Sequence, residues 1–262
     1  MCIRDRVLGI SQSGQSPDIL SVLEEGRRQG CPTLAIVNDA ASPLARCAEH
    51  VIDISAGVEE AVAATKTYTA QLMAVAMLSV AMSGNAPRCA DLAAVPDRIM
   101  EVLRQDAAIR MAAERYRDMD QCVVLGRGFN FATAFEWSLK LKELAYVVAA
   151  PYSSADFQHG PIAIVSPGFP VLTIAPKDEV LPDLLRVLQR LKQECGAALV
   201  VISDDEEALG LADTPIRIPP GPAWTSPMVA IVAAQLFCYH LTRAKGHDPE
   251  APRGLLKVTR TS

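Results

Sequence analysis

The chain has 262 residues, of which 50% are hydrophobic, and a formal net charge of −5. A chain of this length can bury one large core or two modest ones. Its acidic and basic residues are interleaved without a Lys/Arg block, which argues against nucleic acid or an anionic membrane surface as the main partner.

Targeting and redox signals indicate a cytoplasmic protein. No secretory signal is visible, and the longest apolar run, residues 72–82, is too short to span a bilayer. The seven cysteines are scattered and form no C-x-x-C pair, which favours reduced thiols over disulfides or a zinc site. We therefore expect a cytoplasmic protein without a membrane partner.

In the first half of the chain, short β-rich runs alternate with helical patterns, which is typical of a parallel sheet flanked by helices. The pattern predicts strands at residues 7–11, 33–37 and 50–54, and helices at about 17–29, 42–47 and 65–82. Pro and Gly then cluster at residues 83–87, and a helical segment at about 95–116 leads into the second half.

The second half repeats this alternation. Strands are predicted at residues 121–125, 170–174, 198–202 and 214–218, and helices at about 130–147, 181–194 and 226–244. This half opens with a strand, a Gly-rich turn and a helix for which the first half has no counterpart. We therefore expect a truncated N-terminus, with a first domain that lacks its opening strand and helix.

These elements divide the chain into two α/β domains. The predicted parts are an N-terminally incomplete first domain at residues 1–90, a bridging helical segment at 91–118, a second domain at 119–248 and a C-terminal tail at 249–262. Apolar residues persist in the tail, at Leu255, Leu256 and Val258, so we expect it to dock rather than fray.

The segment ISQSGQSPD, residues 10–18, joins the end of a strand, a Ser/Gly turn and the start of a helix. Ser16 is placed as the N-cap and Pro17 as the first helical residue. Backbone N–H groups and the positive end of the helix dipole then point at one spot, which suits an anion, most often a phosphate. An ordinary Ser/Gly turn after a strand is the alternative.

Two glycine motifs fall short of known signatures. The turn GRG at residues 126–128 lacks the third glycine of a dinucleotide-binding turn, because Phe131 stands in its place. The sequence GISQS at residues 9–13 lacks the closing glycine of a hydrolase nucleophile elbow. We therefore expect neither a dinucleotide site nor a hydrolase triad.

Candidate acid/base residues lie in the second half and the tail. Lys140 and Glu143 share a helix face, as either a solvated ion pair or a general base with a lysine that holds its charge. His159, in the turn-rich loop at residues 153–161, is suited to acid/base work near neutral pH. A docked Lys257 could neutralise a phosphate or form a Schiff base, provided that burial lowers its pKa.

Six segments, taken together and in order, resemble the SIS (sugar isomerase) family. They are ISQSGQSPDIL (10–20), EAVAATK (60–66), VLGRGF (124–129), LKLKE (139–143), SSADFQHGP (153–161) and GLLKVT (254–259). They are similar to the isomerase half of glucosamine-6-phosphate synthase and, more closely, to the glucosamine-6-phosphate deaminases on the same double-SIS scaffold. The resemblance implies an α/β fold of two SIS domains, each a flavodoxin-like three-layer sandwich.

The resemblance also implies binding roles by position. The phosphate would be bound by Ser11, Gln12, Ser13 and Ser16, and the sugar hydroxyls by the backbone of Val62, Ala63 and Ala64. No metal or other cofactor is implied.

Catalytic roles follow from the same resemblance. Glu143, with Lys140 beside it, would move the proton between C1 and C2 of the sugar. His159 would open the pyranose ring from near the interface of a homodimer. Lys257 would form a Schiff base with the keto sugar, and the tail would close the active site.

The implied activity is the conversion of glucosamine 6-phosphate to fructose 6-phosphate and ammonia. We expect this direction because the sequence contains no glutaminase domain that would supply ammonia. The alternatives are another aldose–ketose isomerase, a deglycase, or a sensor that binds a sugar phosphate without turnover.

Overall fold

The computed structural model describes residues 6–255. They form two compact units, the first comprising residues 6–86 with 253–255 and the second Pro87–Pro252. Each unit is a parallel sheet flanked by helices, which confirms the predicted fold class. Within the described residues, no helix combines the length and apolar character needed to cross a bilayer. The finer domain boundaries stay predictions.

The first unit contains a three-stranded sheet in the order β1-β2-β3, with all strands parallel. Its elements are β1 (Val7–Ser11), α1 (Pro17–Arg28), β2 (Thr33–Val37), α2 (Pro43–Cys47), β3 (His50–Asp53) and α3 (Lys66–Ser83). Leu23 of α1 and Leu44 of α2 pack with Ala35 and Val37 of β2 in one core. Because parallel strands end at the same edge, the loops after β1, β2 and β3 all start there.

The second unit contains a five-stranded parallel sheet in the order β5-β4-β6-β7-β8. Its strands are β4 (Gln121–Gly126), β5 (Val148–Ser153), β6 (Pro170–Ile174), β7 (Ala198–Ser203) and β8 (Thr214–Arg217). Its helices are α4 (Arg88–Ala93), α5 (Val95–Leu103), α6 (Asp106–Glu114), α7 (Phe131–Leu144), α8 (Ser154–Phe157), α9 (Leu181–Gln193), α10 (Glu206–Leu211) and α11 (Ser226–Ala244).

Helices cover both faces of this sheet. Leu184 and Leu188 of α9 pack against Val123 and Val201, which project from one face. The alternate strand residues project to the other face, which α7 and α11 cover. The rings of Trp137 and Phe237 join these two helices, with centroids 5.6 Å apart. The result is a three-layer sandwich that holds α7 firmly against β4 and β5.

Several elements differ from the sequence prediction, and the short helices α4 and α8 are among those that were not predicted. The segment predicted as one helix at about 95–116 is two helices, α5 and α6. Strand β5 was not predicted, because Pro151 cannot donate a ladder hydrogen bond; the strand lies at the sheet edge and pairs only with β4, where a proline is tolerated. Helix α10 was also missed, although Asp205 caps it by accepting hydrogen bonds from Glu207 N and Ala208 N.

The two units repeat one topology. In the first unit, β1, β2 and β3 follow each other with a helix after each of the first two, as β6, β7 and β8 do in the second. The loop after β1, residues 12–16, therefore corresponds to the loop after β6, residues 175–180.

Candidate functional site

The residues predicted to bind phosphate lie in a tight turn of the first unit. We call this turn, residues 11–16, the cradle. Gly14 N donates to Ser11 Oγ (3.1 Å) and Gln15 N donates to Ser13 Oγ (3.2 Å). Gly14 has a φ of +61°, and a methyl group at this position would overlap the side chain of Ser42. Glycine is therefore required both for the left-handed backbone and for the close approach.

The cradle leaves hydrogen-bond donors for a ligand. Ser16 stands at the N-cap of α1 with extended backbone, and its hydroxyl makes no capping hydrogen bond. The first helical bond runs from Leu20 N to Ser16 O (3.0 Å), so the N–H groups of the first turn before Leu20 have no intrahelical acceptor. With the helix dipole behind them, these groups are suited to an anion. The geometry is that expected of the predicted phosphate site, whose role stays a prediction.

The cradle is fastened to its surroundings through its backbone. Asn38 N donates to Gln12 O (3.3 Å), and Leu44 N donates to Gly14 O (3.0 Å). The turn is thus held by the residue after β2 and by the first turn of α2. Such fixing reduces the entropy that a ligand would otherwise have to remove from the loop.

The predicted sugar-hydroxyl residues lie on the irregular segment between β3 and α3 in the same unit. Ala63 is buried, and Val62 and Ala64 are half-buried. The segment begins at the carboxyl edge of the sheet, where the cradle also begins. That this backbone contacts sugar hydroxyls stays a prediction.

The predicted Lys140–Glu143 pair is part of a buried cluster on α7 in the second unit. Lys140 Nζ lies 3.0 Å from Glu143 Oε2 and 3.3 Å from Glu136 Oε1. The exposed fractions of these side chains are 6% for Lys140, 25% for Glu143 and 10% for Glu136. A solvated surface pair, the alternative considered for Lys140 and Glu143, does not describe this burial.

The charges of this cluster are set by burial and mutual attraction. Burial by itself lowers the pKa of Lys140, but the attraction of Glu136 and Glu143 outweighs it and holds this pKa above its ordinary value. Burial raises the pKa of Glu136, against the attraction of Lys140. Lys140 is therefore an ammonium at neutral pH and acts as a fixed positive charge beside Glu143.

Sequence reasoning missed Glu136. Its position four residues before Lys140 is the favourable Glu-to-Lys spacing on a helix, and this signal was available. The spacing alone gives no information on burial, because an i, i+4 pair on an exposed face has the same pattern. The packing of α7 between the sheet and α11 distinguishes the two cases.

His159 and Lys257 complete the predicted set. His159 is exposed and follows α8, with its backbone N–H donated to Asp156 O (3.0 Å). Lys257 lies outside the described residues. The cradle residues thus belong to the first unit, and Glu136, Glu143 and His159 belong to the second. Across residues 6–255, no three His, Cys, Asp or Glu side chains are grouped as metal ligands.

The loop after β6 differs chemically from the cradle. Asp178 Oδ1 accepts a hydrogen bond from Val180 N (3.0 Å), immediately before α9 begins. Burial raises the pKa of Asp178, although two backbone hydrogen bonds oppose this effect. The loop also carries Glu179 and has no serine. An internal carboxylate thus already accepts a backbone N–H group at the start of α9.

Comparison with known proteins agrees with this architecture. A family model for the SIS domain matches residues 4–81 and 115–244. The glutamine–fructose-6-phosphate aminotransferase (isomerizing) of Thermococcus kodakarensis is 35% identical over 260 residues, which cover 96% of this chain and 43% of that protein. The chain therefore spans less than half the length of this relative.

Solved structures show the same relationship. The C-terminal domain of glucosamine-fructose-6-phosphate aminotransferase from Francisella tularensis has a TM-score of 0.88 at 30% identity, covering 94% of this chain and 73% of that one. Glucosamine-6-phosphate deaminase from Thermotoga maritima has a TM-score of 0.79 at 20% identity, covering 100% of this chain and 77% of that one. At this lower identity, the second likeness establishes a shared fold only.

Proposed function

Because this chain belongs to the SIS domain family, we propose that it binds a phosphorylated sugar and moves a proton between C1 and C2 of the open-chain form. The observation that carries this proposal is the buried cluster of Lys140 with Glu136 and Glu143. A protein that only binds a sugar phosphate needs the serine cradle, but it has no need for a carboxylate held beside a buried ammonium group. That arrangement suits a general base.

Our specific proposal is the breakdown of glucosamine 6-phosphate. Glu143 takes the proton from C2 of the open-chain aldehyde and returns it to C1. A second proton passes from the C2 amino group to the C1 oxygen, which leaves an imine at C2 and a hydroxyl group at C1. Water then hydrolyses this imine, so that the products are fructose 6-phosphate and ammonia. The names of the relatives, which contain glucosamine and fructose-6-phosphate, support this choice of sugar.

The remaining roles are assigned by chemistry. Lys140 stays charged, so it stabilises negative charge at Glu143 and does not act as the amine of a Schiff base. We assign that amine to Lys257 and ring opening to His159, whose exposed position is compatible with our proposal of a homodimer interface nearby. Phosphate binding falls to Ser11, Ser13 and Ser16 with Gln12, because hydroxyl and backbone donors converge there.

The test is incubation of the purified chain with glucosamine 6-phosphate while ammonia and fructose 6-phosphate are measured together. Equal release of both products supports the deaminase. Interconversion of aldose and ketose phosphates without ammonia would replace it with an isomerase. Tight binding of sugar phosphates with no turnover would favour a sensor instead.

The Schiff base has its own test. Formation of the imine between a lysine amine and the ketone of fructose 6-phosphate releases water, and borohydride reduces that imine to a stable secondary amine. Peptide mapping after this treatment should find the label on Lys257. A label on another lysine would reassign the role.

A further inference from the structure

The segment between β3 and α3, residues 54–65, follows a strained and irregular path. Ser55 has a φ of +48° and Gly57 a φ of +72°, so two left-handed residues occur within three positions. A serine in this conformation persists only where its surroundings fix it. The same segment carries Val62, Ala63 and Ala64, so whatever holds its ends also decides where their backbone lies.

Asn38 holds the beginning of the segment. Its Nδ2 donates to Gly57 O (2.7 Å), and its Oδ1 accepts from Ala56 N (2.9 Å). Its own backbone N–H donates to Gln12 O (3.3 Å), in the serine cradle. One residue therefore links the phosphate-binding turn to the segment that carries the sugar-hydroxyl backbone.

Glu59 holds the end of the segment. Glu59 as a whole is only 6% exposed, and its Oε2 accepts hydrogen bonds from Thr67 Oγ1 (2.7 Å), Thr67 N (3.1 Å) and Thr65 N (3.2 Å). Within residues 6–255, no Lys or Arg forms an ion pair with it. Its polar partners are instead these three donors at the N-terminus of α3.

We propose that Asn38 and Glu59 are positioning residues for sugar binding, which hold the 62–64 backbone at a fixed place relative to the serine cradle. This proposal rests on the proposed function, because it takes that backbone as the site of the sugar hydroxyls. The phosphate and the hydroxyls of one ligand must be bound together. A segment free to move relative to the cradle would lose part of the binding energy in being ordered by the ligand.

The proposal predicts different effects on the binding of two ligands that both occupy the cradle. Inorganic phosphate occupies only the cradle, whereas fructose 6-phosphate also needs the 62–64 backbone. Loosening either attachment should therefore weaken the binding of the sugar phosphate and leave the binding of inorganic phosphate unaffected. A residue that only stabilised α3 would not give this difference between ligands.

The test compares Glu59→Ala, Thr67→Val and Asn38→Ala with the unaltered chain by calorimetric titration of fructose 6-phosphate and inorganic phosphate. We expect each variant to raise the Kd for fructose 6-phosphate about tenfold, as the loss of a charge-assisted or buried hydrogen bond does. The Kd for inorganic phosphate should change less than about twofold. Thr67→Ser, which keeps the hydroxyl, should restore sugar-phosphate binding.

Thr69→Val is the matched control, because the Thr69 hydroxyl donates only to Lys66 O (2.8 Å) on α3 itself. It should leave both dissociation constants unchanged. Thr67→Val also covers the case in which Glu59→Ala fails to fold, since valine has nearly the volume of threonine.

These titrations distinguish a failure of the proposed function from a failure of the positioning role. If the unaltered chain binds phosphate but not fructose 6-phosphate, the proposed function fails. If it binds both, and the Asn38 and Thr67 variants do so equally well, the positioning role is wrong while the proposed function stands. If the variants bind both ligands more weakly to the same extent, the positioning role is also wrong, because the substitutions would then affect the first unit in general.

Discussion

Lys140 donates a hydrogen bond of 3.0 Å to Glu143, one turn further along α7, inside the fold of the second unit. The exposed fractions of the two side chains are 6% and 25%. Burial would ordinarily favour neutral forms of both groups. The attraction of two carboxylates, Glu136 and Glu143, holds the pKa of Lys140 above its ordinary value, so the lysine stays charged beside both.

Replacing Glu143 with Gln should abolish turnover but preserve binding. Glutamine keeps the shape and a hydrogen-bond acceptor, but it cannot take a proton from C2. We expect kcat to fall by about 100-fold or more, within the range for a lost general base. The Kd for fructose 6-phosphate should stay within about twofold.

The control for this variant is Glu114→Gln, which alters an exposed i, i+4 pair with Arg110 on α6. It should leave kcat unchanged. An unchanged kcat in Glu143→Gln would remove Glu143 from the mechanism.

Lys140→Met should destabilise the second unit by about 3–5 kcal/mol, because two carboxylates would lose their shared buried partner. The effect should depend on pH. Burial raises the pKa of Glu136, so the protonated form of this side chain is favoured in the folded state. The stability that Glu136 contributes is therefore fully present at low pH and is lost as pH rises. The difference in unfolding free energy from the unaltered chain should therefore be larger at pH 8 than at about pH 4.5.

Denaturant titrations of both proteins at the two pH values measure this difference. Lys142→Met, at an exposed position on the same helix, should change stability by less than about 0.5 kcal/mol. A pH-independent loss in Lys140→Met would show that lost packing, and not charge, dominates.

Gly14→Ala should disrupt the cradle. Alanine is strained at a φ of +61°, and its methyl group would meet the side chain of Ser42. The backbone strain costs about 1–2 kcal/mol, and the overlap adds about 1–3 kcal/mol. Phosphate affinity should fall together with stability.

Gly30→Ala separates these two effects, because Gly30 has a φ of +73° with no atom within 4 Å of the added methyl group. It should show the backbone cost only, with phosphate binding intact. Chemical unfolding and phosphate titration of both variants make the comparison. Equal stability of the two variants would contradict the close approach to Ser42.

The double change Ser11→Ala with Ser13→Ala should weaken the binding of inorganic phosphate and of fructose 6-phosphate to the same extent. Each hydrogen bond lost to a charged ligand is worth about 1.5–3 kcal/mol, so the combined loss should exceed about 100-fold in affinity. Ser21→Ala is the control, since the Ser21 hydroxyl donates to Asp18 O on the outer surface of α1. Normal phosphate binding by the double variant would mean that the turn is not a phosphate site.

Two buried cysteines should resist alkylation. Burial raises the pKa of Cys122 and of Cys238 to about 12, so neither thiol ionises appreciably at pH 8.5. Iodoacetamide treatment of the native protein followed by peptide mapping should modify the exposed Cys89 and spare both. Labelling of Cys122 before Cys89 would show that α11 opens readily from the sheet.

The fold was predictable from the sequence where local patterns are strong. Apolar runs marked most strands, and the Ser-Pro start of α1 lies where the sequence placed it. β5 was not predicted because Pro151 contradicts the usual strand pattern, and its pairing with β4 depends on tertiary structure. The break between α5 and α6 also escaped, since the helical periodicity runs almost unbroken through Gln105.

The candidate site was predictable to the same extent. The serines of the cradle and the spacing of Lys140 and Glu143 can be read along the chain. The positions of Ser42 beneath Gly14 and of Asn38 beside Gly57 cannot, because each contact joins residues about 20 or more apart in sequence and depends on how parallel strands align. Burial of Glu136 belongs to this second group.

The carboxylate of Asp178 has a consequence for how much ligand one chain can hold. The two units share one strand-and-helix arrangement, yet at the start of α9 this side chain already occupies the backbone donor that a phosphate would use. Of these two loops, the one after β1 is the one that offers hydroxyl groups and free amide hydrogens to an anion. A chain with a duplicated architecture should therefore saturate at a single equivalent of phosphate, with a simple hyperbolic isotherm.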